Sequence, residues 1–181
     1  ANATGDVLEI ARTATTGAGA LAAALNVARK LRRMPVVVAA GDGLLIARMT
    51  ECLQEHAATS GIAARWVRQV LDDLDFTHGL AAPDDAAPET NAATREEVIE
   101  KVLYPVVAEA FAMLDAGALW RGSDIDAALV KSGFWPVHMG GPIHWASRVG
   151  HRRIVDSLIA RGIAVPASLR EHAEKEAPAS A

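Results

Sequence analysis

Two short stretches of this sequence have residue types and spacing that could do chemistry. Gly17-Ala18-Gly19-Ala20-Leu21-Ala22 fits the G-x-G-x-x-A pattern, in which a glycine-rich turn brings backbone amides to a pyrophosphate at a helix start. Asp42 follows about 25 residues after Gly17, at the end of the next strand candidate, where a ribose-binding acid would stand. The segment Arg12 to Thr16 is longer than the tight strand-to-helix corner such a site needs, so this helix is expected to pack rather than bind a nucleotide. Glu9 interrupts the apolar run Val7-Leu8-Glu9-Ile10. A carboxylate in a strand is ordinarily a solvated group at a sheet edge, and it becomes chemical only where a cleft perturbs it.

The six histidines offer less. His138, His144 and His151 are close in sequence, but Cys52 and scattered carboxylates are their only possible companions and the spacing fits no zinc pattern, so no metal is expected. His138 and His144 flank Gly140-Gly141-Pro142, where Gly permits close backbone approach and Pro suits a first helical turn. Phe134, Trp135 and Trp145 are expected to pack between helices rather than stack on a ligand.

The elements that hold these residues can be placed from periodicity. Val7 to Ile10 is a strand candidate, Thr15-Thr16-Gly17 offers hydroxyl caps to a helix over Ala18 to Leu31, and Pro35 to Ala39 is a β-branched strand. Helices follow over Leu44 to Ala58, with Leu45, Met49, Cys52, Leu53 and His56 on one face, and over Ala63 to Leu74. Thr94-Arg95-Glu96-Glu97 is a capping box that opens a helix running to Gly117, kinked at Pro105. Ser123-Asp124 is expected to cap the next helix, and Pro142 to Val149, His151 to Arg161 and Leu169 to Lys175 make three more. Gly61, Val67, Val70, Leu71 and Phe76 are answered 56 to 58 residues later by Gly117, Ile125, Ala128, Leu129 and Phe134, a spacing consistent with a duplicated helical unit.

Composition bounds the reading. The chain has 181 residues, 51% hydrophobic and 22% charged, which suits one compact, mainly α body. Its 18 basic and 22 acidic residues give a net charge of −4, and no basic stripe could neutralise a phosphate backbone, so nucleic acid is not an expected partner. The cluster Arg29, Lys30, Arg32 and Arg33 complements the end of a helix. The single Cys52 fits a reducing, cytoplasmic setting, and the apolar runs are shorter than the ~20 residues that span a bilayer, so no membrane is expected. The opening Ala1-Asn2-Ala3 suggests a cut edge of a longer polypeptide.

The second half resembles a known family. Glu97-Val98-Ile99-Glu100-Lys101-Val102-Leu103-Tyr104-Pro105-Val106-Val107-Ala108-Glu109-Ala110, followed by Ser123-Asp124-Ile125-Asp126, Gly133-Phe134-Trp135-Pro136 and Gly140-Gly141-Pro142, is similar to the C-terminal helical repeat of 3-hydroxyacyl-CoA dehydrogenases, as in the α-subunit of the fatty-acid β-oxidation complex. In the first half, Val7 to Ile10 resembles the segment that carries the family's Glu, and Gly41-Asp42-Gly43-Leu44-Leu45-Ile46-Ala47-Arg48 resembles the junction "Asp-Gly-Phe-x-x-Asn-Arg" between its NAD domain and its helical domain. The resemblance implies tandem helical repeats of the 6-phosphogluconate dehydrogenase C-terminal type behind a strand-helix-strand remnant of a Rossmann domain. It implies the boundaries 1–40 for the remnant and 41–78 and 94–176 for two helical units; 79–93, with Pro83, Asp84, Asp85, Pro88 and Asn91 and little apolar periodicity, reads as a linker between them, and 177–181 as a disordered tail.

For function the resemblance implies NAD-dependent oxidation of 3-hydroxyacyl-CoA, with NAD and acyl-CoA bound in an intact parent and a homodimer as the assembly. Glu9 would orient a catalytic His that falls before Ala1, and Gly43, Ala47 and Arg48 would belong to the substrate side. Ala47 stands at the position of the family's Asn and offers no hydrogen bond. The chain alone is therefore expected to be inactive, and a non-catalytic dimerisation or docking module is the alternative.

Overall fold

The computed structural model describes residues 2–41, 43–81 and 93–176. Most of the expected linker 79–93, the tail 177–181, Ala1 and Asp42 lie outside the described residues. Three strands form one sheet in the order β1-β2-β3: β1 (Asn2–Thr4), β2 (Val7–Arg12) and β3 (Met34–Ala39). β1 is antiparallel to β2, and β3 is parallel to it with Glu9 opposite Val36. A parallel pair needs a crossover, which α1 (Ala18–Lys30) provides. β2 is thus the central strand, and Glu9, expected at a solvated edge, is fully buried. The three-residue β1 was not expected, being too short to show an alternating pattern.

The hydroxyl cap expected for α1 does not form. Gly17 is the N-cap and contributes no side chain, while the hydroxyls of Thr13, Thr15 and Thr16 bond among themselves at 2.9–3.0 Å. α2 (Leu45–Thr59) buries Leu45, Met49 and Leu53 and half-buries Cys52 and His56, and α3 (Ala64–Asp73) buries Val67, Val70 and Leu71.

After the linker, α4 (Arg95–Val98) opens with both halves of the capping box: the Glu97 amide bonds the Thr94 hydroxyl at 3.1 Å and the Thr94 amide bonds the Glu97 carboxylate at 2.8 Å. A π-helical turn, Ile99–Leu103, then leads into α5 (Tyr104–Asp115). Pro105 has no N–H to give an α-helical bond, and the helix absorbs it by widening, with the Tyr104 amide bonded five residues back to Ile99. The kink expected at Pro105 is therefore a π turn.

α6 (Gly122–Lys131) starts one residue earlier than its expected cap. Arg121 is the N-cap and uses no side chain, so Ser123 and Asp124 lie inside the first turn. α7 (Pro142–Val149), α8 (His151–Ala160) and α9 (Ala167–Lys175) are the last helices among the described residues. α5 is the hub, burying Tyr104 to Ala108, Ala110, Phe111 and Met113, and α2, α6, α7, α8 and α9 pack on it. The fold is mainly α with a small sheet at the N-terminus.

Candidate functional site

The parallel strands end beside the start of α2, and there the sequence-predicted residues gather. α2 begins at Leu45 with Leu44 as N-cap, a residue with no side-chain acceptor for the free amides of the first turn. Glu9 serves instead, from 37 positions earlier in the chain: its Oε1 accepts the Ile46 amide at 3.3 Å. A carboxylate is also favoured there by the positive end of the helix dipole.

The other oxygen, Oε2, is buried with no hydrogen-bond partner. Burial pushes the Glu9 carboxyl above the usual carboxylate range, and the amides of Ile46 and Leu45 only partly oppose that. A buried acceptor with one lone oxygen can hold a donor and stabilise that donor's positive charge.

Gly43 and Arg48 line a cavity of about 120 Å³ beneath the end of β3, together with Ala39, Gly41, Ala112 and Met113. Gly43 has φ +108°, which bends the chain from strand to helix. Arg48 forms an ion pair through Nε with Glu109 of α5, tying the two long helices together. Ala47 is exposed on the outer side of α2 and does not line the cavity. The structure therefore unites Glu9, Gly43 and Arg48 around one turn, with Ala47 facing outward from it.

Glu109 was missed as a site residue. Its signal was present: it is the one carboxylate in the run Val106 to Met113, and a lone acid in a buried helix needs a partner. Cys52 lies in the same neighbourhood, and burial, reinforced by Glu109 and Glu55 against Arg48, pushes its thiol up to about 12, far from a reactive thiolate.

Two further acids, Asp126 and Glu176, act as helix caps from a distance. Asp126 accepts the amides of Ile143 at 2.8 Å and His144 at 3.0 Å, so α6 caps α7. A Cβ on Gly141 would come within 2.4 Å of Asp126, which explains the glycine there. Glu176 accepts the amides of His151 and Arg152 at the start of α8, and the His151 ring lies 2.6 Å from it.

The residues Gly17 to Ala22 do not fit a dinucleotide. β2 runs to Arg12 and α1 starts at Ala18, so a loop intervenes where a tight corner is required. Gly17 is extended with φ −69°, and an added Cβ at Gly17 or Gly19 would meet only open space.

Relatives with known names carry similar sequence. The peroxisomal fatty acid β-oxidation multifunctional protein AIM1 of Arabidopsis thaliana is 40% identical over 67 residues, 37% of this chain and 9% of that protein. Part of the chain is thus similar to a β-oxidation multifunctional protein. The peroxisomal bifunctional enzyme of Homo sapiens is 29% identical over 93 residues, 51% of this chain and 12% of that protein. The glyoxysomal multifunctional protein MFP-a of Brassica napus is 31% identical over 92 residues, again 51% of this chain and 12% of that protein.

The chain spans only about a tenth of the length of these relatives. No family model matches the chain. The relatives' names place them in peroxisomes and glyoxysomes, which does not support the cytoplasmic setting expected from Cys52. Among the described residues, no helix is long and apolar enough to cross a membrane.

Proposed function

We propose that the chain is the C-terminal part of an NAD-dependent 3-hydroxyacyl-CoA dehydrogenase of fatty-acid β-oxidation, acting in peroxisomes as its relatives' names say of them. The observation that carries this reading is Glu9: a fully buried carboxylate, held by the first turn of α2, with one oxygen unsatisfied. Oxidation of a secondary alcohol requires a base for the hydroxyl proton, and a neutral imidazole does this best when a carboxylate fixes its tautomer and stabilises its charged form. Glu9 Oε2 is the acceptor for that imidazole, contributed by polypeptide outside these residues.

NAD supplies the hydride acceptor, and its cradle also belongs to polypeptide other than Gly17 to Ala22. The chain's own share is to orient the base through Glu9, to shape the acyl-CoA cleft at Gly43 and Arg48, and to bring subunits together as a homodimer. By itself it turns nothing over.

The test is NADH formation from 3-hydroxybutyryl-CoA, measured with the 181-residue chain and with a fusion in which a relative's dinucleotide domain, including its His, precedes Ala1. The reading expects an inactive chain and an active fusion that loses activity on Glu9→Gln. Turnover by the chain alone, or a fusion indifferent to Glu9→Gln, overturns it.

A second reading rests on Ala47, an exposed methyl where the family's motif has Asn. It makes the chain a helical interaction module that has lost catalysis. A fusion that folds and binds acyl-CoA but stays inactive until Ala47→Asn is introduced would favour it.

A further inference from the structure

β3 is an edge strand of the sheet, and beside it runs a groove of about 350 Å³ that meets the smaller Gly43 and Arg48 cavity only at Ala39 and Ala118. α1 forms one wall with Leu21 and Leu25, the loop before α6 forms the other with Leu119 and Trp120, and Met34 and Val37 lie between. Trp120 is 84% exposed, an unusual place for the largest side chain of a monomer to rest without cover. Its ring contact is with Arg12, whose guanidinium carbon lies 5.9 Å from the ring centroid. Arg12 also lines the groove, and no carboxylate among the described residues pairs with it.

The geometry restricts what can lie there. Strand addition is blocked, because the amides of Met34 and Ala40 point inward to Asp6 and Arg12, which leaves Pro35, Val37 and Ala39 facing out. Pro35 has no N–H and the Ala39 amide already bonds Ala118 at 2.8 Å, so only Val37 could offer a donor to an incoming strand. The volume is at the small end of the ~300–1,000 Å³ typical of small-molecule pockets. A slender apolar occupant with one charged end fits both limits, and the charge is set by Arg12.

We infer that this groove binds an aliphatic monocarboxylate, its chain along Leu21, Leu25, Met34 and Val37, its carboxylate on Arg12, and the Trp120 indole over it. The guanidinium is suited to the head group because it can give a carboxylate two parallel hydrogen bonds while still stacked on the indole.

Decanoate below its micelle concentration is the probe, titrated by calorimetry into the 181-residue chain at neutral pH, with the Trp120 indole N–H resonance followed in parallel. Saturable one-to-one binding that shifts this resonance is expected. Decanol should bind at least tenfold more weakly than decanoate, and Arg12→Met should weaken decanoate at least tenfold while leaving decanol unchanged. Trp120→Ala should weaken both ligands several-fold. Both replaced residues are at the surface, and unchanged thermal melting of each variant establishes that it folds. Decanol binding as tightly as decanoate, an indifferent Arg12→Met, or an unmoved Trp120 resonance would each overturn the proposal, and none of these depends on the dehydrogenase reading.

Discussion

The two helical units, α2–α3 through Phe76 and α4–α6 through Phe134, share one plan and finish it differently. Each has a long helix, a left-handed glycine at φ +68° (Gly61 and Gly117), a second helix and a buried aromatic. Val67, Val70 and Leu71 are as deeply buried as Ile125, Ala128 and Leu129. The contrast begins at the end of the second helix, where the left-handed position is Asp75 at φ 62° in the first unit and Gly133 at φ 81° in the second. Beyond it the second unit adds α7, α8 and α9, the first two capped by Asp126 and Glu176, while α2 depends for its start on Glu9 of the sheet. Both units touch the sheet, the first through Glu9 at the start of α2 and the second through backbone bonds of Lys131 and Ala118, and only the second is braced by C-terminal helices of its own. A site at the sheet–helix corner follows from the first arrangement and a stable hub from the second.

Substitutions can break or sharpen this contrast. The largest effect is expected at Gly141, where a Cβ would overlap Asp126 and the backbone is left-handed at φ +98°. Gly141→Ala should cost about 3 kcal/mol, from overpacking and strain together. Gly61→Ala, with open space around it, should cost only about 1 kcal/mol. Chemical denaturation of the two variants distinguishes them, and equal losses would mean that the α6–α7 cap is not specific to the second unit.

Next comes the tie between the units. Arg48→Met leaves the Glu109 carboxylate without its guanidinium, and because both groups are partly exposed the loss should be about 1 kcal/mol. The double variant with Glu109→Gln should recover part of it, and a thermodynamic cycle with no coupling would show that the pair does not join α2 to α5.

The left-handed pair gives a smaller, signed difference. Gly133→Ala should cost about 1 kcal/mol, whereas Asp75→Gly should gain no more than about 0.5 kcal/mol, since relief of strain is offset by a freer unfolded chain. Thermal melting in opposite directions is the expected readout.

The smallest effect concerns Glu176. Burial works against its ionisation, but the amides of Arg152 and His151 and the His151 ring prevail and hold its carboxyl below the usual range. Its folded value is lower than its unfolded one, so the stability it adds is present above the unfolded value and is lost as pH falls through the folded one. Glu176→Gln should cost about 0.5 kcal/mol at neutral pH and flatten the acid limb of the stability curve. An acid limb identical to that of the parent chain would remove Glu176 as the cap of α8.

Much of this was legible in the sequence because it is local. The capping box at Thr94, the glycine turns and the apolar faces of α2 and α3 are encoded within a few residues, and the repeat was visible in the order of its buried positions. What was hidden depends on distant partners. The capping of α2 by Glu9 spans 37 positions and the pairing of Arg48 with Glu109 spans 61, so neither leaves a local trace. Asp126 was visible as an acid and not as a cap, since the amides it binds belong to a helix 17 residues away. The π turn was half legible: Pro105 signalled an interruption, and the way the helix absorbs it depends on packing around Val102 and Leu103.

The corner of Glu9 and α2 is where the account is most exposed to test. The most direct measurement compares kcat for 3-hydroxybutyryl-CoA oxidation in the fused dehydrogenase with Glu9 and with Glu9→Gln. A positioned carboxylate acting through the base predicts a loss of about 100-fold or more with KM little changed. Equal kcat values in two equally stable proteins would reduce Glu9 to a helix cap and contradict the account.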